Sequence, residues 1–297
     1  MCGCSCSSSS TAPQQHNNSS TEAAHGATFS PDGYAAREKS VIDHPVMIIA
    51  QISDSHISQA HPRRMAYLSA CVSHINALRE PPDVVVHSGD IVHDGTAAQY
   101  ALAADILAEL NAPLYVIPGN KDNRQRLVEA FAPDSCPSLP DGFVQYRVDD
   151  FPLSMIFLDT VLTGRNKGAL CRHRLSHLQD MLNFAQDKPQ VIFMHHPPFE
   201  FTAIKDSLQF ADWDDVVRLE RLLAEAAPRL EKLICGHVHR EAAGRIGRFD
   251  VSCMASVAVD LRYGEYASDV ADVPLYQLHR FDPDLGISSS SVAAPAV

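Results

Sequence analysis

This 297-residue chain predicts an α/β fold, a four-layer αββα sandwich of two facing mixed β-sheets flanked by helices. Three observations lead there. Short apolar runs of strand length alternate with longer segments whose large apolar residues recur at helical spacing. The last such run alternates apolar and polar residues, as a half-exposed antiparallel strand does. No linker-like stretch interrupts the alternation, so one domain must hold all of these elements.

The first strand is Val46-Met47-Ile48-Ile49-Ala50-Gln51-Ile52. Met65, Leu68, Val72, Ile75 and Leu78 then follow at helical spacing, and Pro81-Pro82 stops that helix. Val84 to His87 is a second strand, Leu102, Ile106, Leu107 and Leu110 mark a second helix, and Leu114 to Ile117 is a third strand. The second half repeats the pattern. Met155 to Leu158 is a strand, Leu175, Leu178 and Leu182 mark a helix, and Val191 to Met194 is a strand. A helix carrying Val217, Leu219, Leu222 and Leu223 precedes the strand Leu233-Ile234-Cys235, and Tyr276 to Phe281 closes the series. Residues 1–44, with the serine run Ser7 to Ser10, have the composition of a disordered tail. The catalytic domain is expected over 45–283 and a flexible tail over 284–297.

An apolar content of 45% with 20% charged residues is ordinary for a globular protein. The net charge of -12 argues against a partner as polyanionic as nucleic acid, whose binding comes chiefly from Lys and Arg on phosphates. The eight cysteines do not read as a disulfide framework: Cys2, Cys4 and Cys6 crowd one end and the rest are scattered. Cys235 and Cys253 lie in apolar runs, where a buried thiol is the ordinary role. No secretory apolar core and no transmembrane stretch is visible, so a cytoplasmic location is expected.

Five short stretches carry the chemistry: Asp54-Ser55-His56, Gly89-Asp90, Gly119-Asn120-Lys121-Asp122, His195-His196-Pro197-Pro198 and Gly236-His237-Val238-His239. Nearly every one follows a predicted strand, and open α/β sheets place ligands beyond the carboxyl ends of their strands. Each motif alone is weak, since an Asp-x-His pair occurs by chance and a Gly-Asp after a strand is commonly a turn. Five in order are not. Together they bring seven oxygen and nitrogen ligands to one rim, a set that suits two divalent cations. Carboxylates, an amide oxygen and imidazoles without thiolate favour Mn, Fe or Zn. Asp90, the lone ligand of its motif, is the candidate to reach both cations. Such a pair is a device for attacking phosphorus with water.

The order and spacing of these motifs resemble the calcineurin-like metallophosphoesterase superfamily over 46–283. The stretches His195-His196-Pro197-Pro198-Phe199, Cys235-Gly236-His237-Val238-His239-Arg240 and Leu158-Asp159-Thr160 are similar to its class III cyclic nucleotide phosphodiesterase and glycerophosphodiesterase branch. The resemblance implies that Asp54, His56 and His239 hold one metal, that Asn120, His195 and His237 hold the other, and that Asp90 lies between. The family's His-x-Pro motif favours His195 over His196 as ligand. The implied activity is hydrolysis of a small phosphodiester, a 3',5'-cyclic nucleotide such as cAMP or a glycerophosphodiester, by a hydroxide bridging the metals. A phosphomonoesterase, a nucleotide pyrophosphatase or a non-catalytic binding protein on the same fold are the alternatives. Relatives assemble through the C-terminal region, which implies a homodimer involving 257–283.

One departure matters. Lys121 stands where the family carries a histidine that touches the phosphate and assists the leaving group. Lysine keeps the positive charge but is a poorer proton donor. Lys121 and His196, with Arg124, are expected to face the phosphate, though an exposed cation at a helix start is an equal reading of Arg124. Asp122 is expected to orient the Asn120 loop or a histidine ligand. His87 and His93 are read as packed or surface residues, Asp159 and Arg240 as either supports of the site or structural ion pairs, and Trp213 as packing beside the site.

Overall fold

The computed structural model describes residues 46–184 and 187–295; the expected tail over 1–44 lies outside the described residues. The first half runs β1 (Met47–Ile52), α1 (Pro62–Asn76), β2 (Val84–His87), α2 (Ala97–Leu107), β3 (Leu114–Val116), α3 (Arg124–Ala130), β4 (Tyr146–Val148) and β5 (Ser154–Leu158). The second half runs α4 (Arg172–Phe184), β6 (Gln190–Met194), α5 (Trp213–Ala226), β7 (Leu230–Cys235), β8 (Ala242–Ile246), β9 (Phe249–Cys253), β10 (Leu275–Asp282) and β11 (Gly286–Ala293).

These strands form two mixed sheets, ordered β11-β10-β1-β2-β3 and β4-β5-β6-β7-β9-β8. In the first, β1, β2 and β3 are parallel, while β10 and β11 run antiparallel on the other side of β1. In the second, β5, β6, β7 and β9 are parallel, and β4 and β8 close the edges antiparallel.

Period-2 alternation decides what each strand joins. Met155 and Phe157 of β5 and Val191 and Phe193 of β6 join a core that also contains β1, β2 and the inner faces of α1, α2 and α3. Their neighbours Ile156, Leu158, Ile192 and Met194 join a separate core under α4 and α5. The runs carry no polar positions because both faces of these central strands are covered. The α5 core face is Val216, Leu219, Leu223 and Ala226, so Val217 turns to solvent; Trp213 opens that helix and packs on the same core.

Two local features differ from the expectation. The stretch predicted as a flexible tail from 284 contains β11, which pairs with β10 from Leu275↔Ala293 to Asp282↔Gly286. Its Ser288-Ser289-Ser290-Ser291 run has little strand propensity, but it forms an edge strand paired along its whole length with β10, a strand of equal length. Strands β4, β8 and β9 and helix α3 carry too few periodic apolar residues to stand out alone.

Between the sheets, Phe157 stacks on Tyr146 and Phe193, with ring centroids 4.5 and 5.5 Å away. It is fully buried. Phe157→Ala is expected to cost about 3–5 kcal/mol of folding free energy in urea denaturation, as lost burial plus an unfilled cavity; a loss under about 1 kcal/mol would show that the sheets repack freely.

Candidate metal centre

Both sheets direct the carboxyl ends of their parallel strands to one rim. Asp54 and His56 follow β1, Asp90 follows β2, Asn120 follows β3, His195 follows β6, and His237 and His239 follow β7. The turns that carry them are held to one another. The Asp54 amide donates to the Gly89 carbonyl at 2.9 Å and the His56 amide to the Asp90 carbonyl at 3.0 Å. The His237 amide reaches across to Asp54 Oδ2 at 3.0 Å, and the Lys121 amide donates to Asp90 Oδ1 at 2.7 Å.

Five non-glycine residues among those described have left-handed backbone: Asp54, His56, Asp90, His237 and His239. All five are sequence-predicted ligands. Each such conformation costs about 1–3 kcal/mol and persists only where its surroundings impose it. Gly119 serves the same packing differently: a Cβ there would lie 2.3 Å from the Asp90 amide nitrogen and Oδ1. Its hydrogen lets the Asn120 turn close over the Asp90 carboxylate.

The side chains converge as two groups whose ligand atoms lie within 4.8 Å of one another, Asp54 with His56, Asp90 and His239, and His195 with His196 and His237. Asp54 Oδ1 lies 3.3 Å from His239 Nε2, 3.9 Å from His56 Nε2 and 4.0 Å from His195 Nε2. Asp90 Oδ2 lies 3.5 Å from His56 Nε2 and 3.6 Å from His195 Nε2, so this carboxylate touches ligands from both groups. His56 and His239 bring their Nε2 atoms within 3.1 Å.

Backbone carbonyls orient the imidazoles. His195 Nδ1 lies 2.8 Å from the Ser88 carbonyl and His239 Nδ1 3.0 Å from the Leu261 carbonyl. A carbonyl only accepts, so each Nδ1 carries the hydrogen and each Nε2 turns inward. Arg64, clamped by Asp260, donates through Nη1 to the His56 carbonyl at 3.3 Å.

Asp54 Oδ1, Asn120 Oδ1, His195 Nε2 and His196 Nε2 are buried without a hydrogen-bond partner. Orphaned acceptors aimed at one space fit a pair of cations, and the absence of thiolate fits hard or borderline ions.

The electrostatics agree. Burial opposes ionisation of Asp54, yet His239, His195 and His56 hold it well below the usual carboxylate range. Burial also opposes ionisation of Asp90, but His195 and His56 hold it down at about 2. His195 is itself pushed up to about 9, because Asp90, Asp54 and the Ser88 carbonyl outweigh its burial. By contrast, burial and the neighbouring His195 push His237 down to about 3. The two carboxylates thus favour positive charge on His195 and His239, while His56 and His237 are held neutral by burial.

Other predicted residues fall around this centre. Asp122 accepts from the Gly119 amide at 2.8 Å, the Ile91 amide at 3.2 Å and the Tyr100 hydroxyl at 2.9 Å, which ties the Asn120 turn to the Asp90 turn. Burial and Asp90 raise it to about 7 in spite of those donors. His196 stands beside His195 and His237, with ring centroids 4.9 and 4.4 Å away, and its Nδ1 lies 2.8 Å from Thr160 Oγ1. Lys121 lines a cavity of about 330 Å³ with His56, Asp90, Asn120, His237 and His239.

Arg124 pairs instead with Asp159, at 2.6 and 2.8 Å, and Arg174 flanks the same carboxylate, so Asp159 is a structural hub. Arg240 faces a different hollow beside Glu265 and Tyr266. His87 is buried against Ser55 Oγ at 2.9 Å, and His93 lies 3.4 Å from Arg64 Nη1. Asn166, Lys167, Asp206, Gln209 and Tyr263 also line the cavity, from loops with no motif to mark them.

Two buried carboxylates, at least four inward imidazoles and an open cavity above them define a metal-dependent hydrolase site. Residues 47–241 match the calcineurin-like phosphoesterase family, and the chain belongs to it. It is 33% identical to a probable glycerophosphodiester phosphodiesterase of Arcobacter nitrofigilis over 258 residues, 82% of this chain and 92% of that protein. It is also 33% identical to a probable cyclic nucleotide phosphodiesterase of Rhodopseudomonas palustris over 188 residues, 60% of this chain and 64% of the relative. Among solved structures, the Plasmodium protein GAP50, an anchor in the inner membrane complex, shares the fold with a TM-score of 0.60 at 15% identity, covering 85% of this chain and 87% of that one.

Cation binding must displace the protons that His195 and His239 carry below their raised pKa values. Mn²⁺ affinity measured by calorimetry is therefore expected to rise between pH 6 and pH 8, by about tenfold per pH unit for each proton released. An affinity independent of pH over that range would contradict this charge assignment.

Proposed function

We propose that this chain hydrolyses a small phosphodiester, a glycerophosphodiester or a 3',5'-cyclic nucleotide, with two divalent cations at the rim. The observation that carries the reading is the meeting of seven Asp and His side chains from four loops, with Asn120 from a fifth lining the same cavity and buried oxygen and nitrogen atoms among them left unpartnered. Asp54, His56 and His239 would hold one cation, Asn120, His195 and His237 the other, and Asp90 both. Mn, Fe and Zn suit the donor set. Such ions supply Lewis acidity to the phosphoryl group and make water a nucleophile at neutral pH.

The chain's own residues do the rest. Lys121, whose amide is pinned by Asp90 Oδ1, presents its ammonium to the cavity, where it neutralises phosphoryl charge. Asp122 holds the turn carrying Asn120 and Lys121, so both enter the cavity from a fixed backbone. His196, which was expected to face the phosphate, is fully buried and absent from the cavity lining; held by Thr160 beside His195 and His237, it steadies those imidazoles instead. Ile204, Val238 and Tyr263 give the cavity an apolar wall for the leaving alcohol or nucleoside, and its volume of about 330 Å³ suits a small molecule rather than a polymer.

A cytoplasmic location belongs to the same reading. No described helix is long and apolar enough to cross a membrane, and Cys71, Cys136, Cys171, Cys235 and Cys253 are all free thiols. The homodimer through 257–283 rests on family resemblance, and sedimentation velocity tests it.

On bis(p-nitrophenyl) phosphate, cyclic AMP, a glycerophosphodiester and p-nitrophenyl phosphate, the Mn²⁺-loaded protein is expected to prefer diesters; preference for the monoester would overturn the diesterase reading. Lys121→His is expected to raise kcat on the alkyl diesters, about tenfold or more, if proton delivery to the leaving group limits turnover. Equal kcat would show that Lys121 contributes charge alone.

A further inference from the structure

Beneath the rim a line of polar side chains crosses the apolar space between the sheets. Gln51 on β1, Ser88 after β2 and His279 on β10 are each fully buried. Burying such groups costs free energy unless every donor and acceptor is paired, and here the pairing is specific. Gln51 Nε2 lies 2.7 Å from Ser88 Oγ and 3.1 Å from the Cys235 carbonyl. The carbonyl only accepts, which fixes the amide orientation and turns Gln51 Oε1 toward His279 Nε2, 3.1 Å away. His279 Nε2 must then carry the hydrogen. Its Nδ1 is left as the acceptor for the Ser289 hydroxyl at 2.7 Å, and Ser289 accepts in turn from Lys232 Nζ at 2.9 Å.

The inner end of this line touches two ligand turns in different sheets. Ser88 receives the hydrogen of His195 Nδ1 on its carbonyl. Cys235 is the last residue of β7 and leads through Gly236 into His237. The Gly236 amide donates to the His195 carbonyl at 3.2 Å, so the two turns also hold each other. One amide nitrogen on β1 thus fixes the approach of both imidazoles assigned to the second cation.

We propose that Gln51 and His279 are positioning residues for the second cation position, holding His195 and His237 through Ser88 and Cys235, with Ser289 setting the His279 tautomer from the edge of the sheet. This rests on the two-cation reading given above. It also gives a role to the β10–β11 hairpin, which places His279 and Ser289 at the outer end of the line. An equivalent apolar filling would stabilise the sheets as well, but it would leave the Ser88 and Cys235 turns free to separate.

The test uses the full chain stripped of metal by chelation and titrated calorimetrically with Mn²⁺, with thermal melting recorded in parallel. Wild type is expected to bind two ions. Gln51→Leu is expected to weaken one of them by about tenfold to a hundredfold, the cost typical of losing a partner behind a metal ligand, and to leave the other unchanged. His279→Leu should act in the same direction. His279→Gln, whose amide offers a donor to Gln51 and an acceptor to Ser289, should restore binding. Ser289→Ala, at an exposed strand position, decides the matter if the core variants do not fold: it is expected to weaken the same ion, by less. Wild-type Mn²⁺ affinities in Gln51→Leu or in Ser289→Ala, with only the melting temperature lowered, would overturn the proposal. Wild type that binds no Mn²⁺ would instead overturn the metal reading on which it rests.

Discussion

Two carboxylates that cannot leave and cannot stay uncompensated govern this structure. Asp54 and Asp90 are buried at the meeting of two sheets, and both are kept ionised by the imidazoles around them. Burying two negative charges side by side is unfavourable unless positive charge accompanies them. Histidine protons meet that need partially, because each imidazole that gains a proton gives up a ligand lone pair. Divalent cations meet it fully, leave every Nε2 free to bind, and use the orphaned oxygens of Asp54 and Asn120. The charge and donor set of these loops fit divalent cations.

The fold serves this charge problem with short, rigid connections. Each proposed ligand lies within a few residues of a strand end, and five of the seven sit in left-handed backbone that no helix or strand would supply. The cost of those conformations is offset by bonds between turns, such as His237 N to Asp54 Oδ2 and His56 N to the Asp90 carbonyl, and by cores on both sides of the second sheet. Gly236, Gly119 and Gly89 permit close approaches between these turns; a Cβ on Gly89, itself at φ +103, would lie 2.6 Å from His195 Nδ1. The site is therefore stiff at its floor, and the cavity above it is walled by Lys121, Asn166 and Tyr263 among others.

Much of this was legible in the sequence because buried parallel strands announce themselves. Val84-Val85-Val86 and Val191-Ile192-Phe193-Met194 have no polar interruption; His195, the first residue to break the second run, reaches the rim, and Asp90 does so shortly after the first. Alternation along β6 also explains why His195 rather than His196 faces Asp90: Phe193 points between the sheets, Met194 away, and His195 back again. What stayed hidden depends on long-range pairing. Tyr146-Arg147-Val148 is a strand because β5 lies beside it, and the serines of β11 are strand because β10 offers them a full ladder. Arg124 looked free to meet a phosphate, but Asp159, thirty-five positions away, claims its guanidinium. The cavity walls at Asn166, Lys167 and Gln209 come from loops whose residue types carry no signal of their own.

The central claim is spatial, and anomalous diffraction tests it most directly. A crystal of the Mn²⁺-soaked protein, measured near the manganese edge, is expected to show two strong peaks. One should lie beside Asp54, His56 and His239, the other beside Asn120, His195 and His237, with the Asp90 carboxylate between. A map with no peak at this rim, or with manganese only at surface carboxylates elsewhere, would contradict the account.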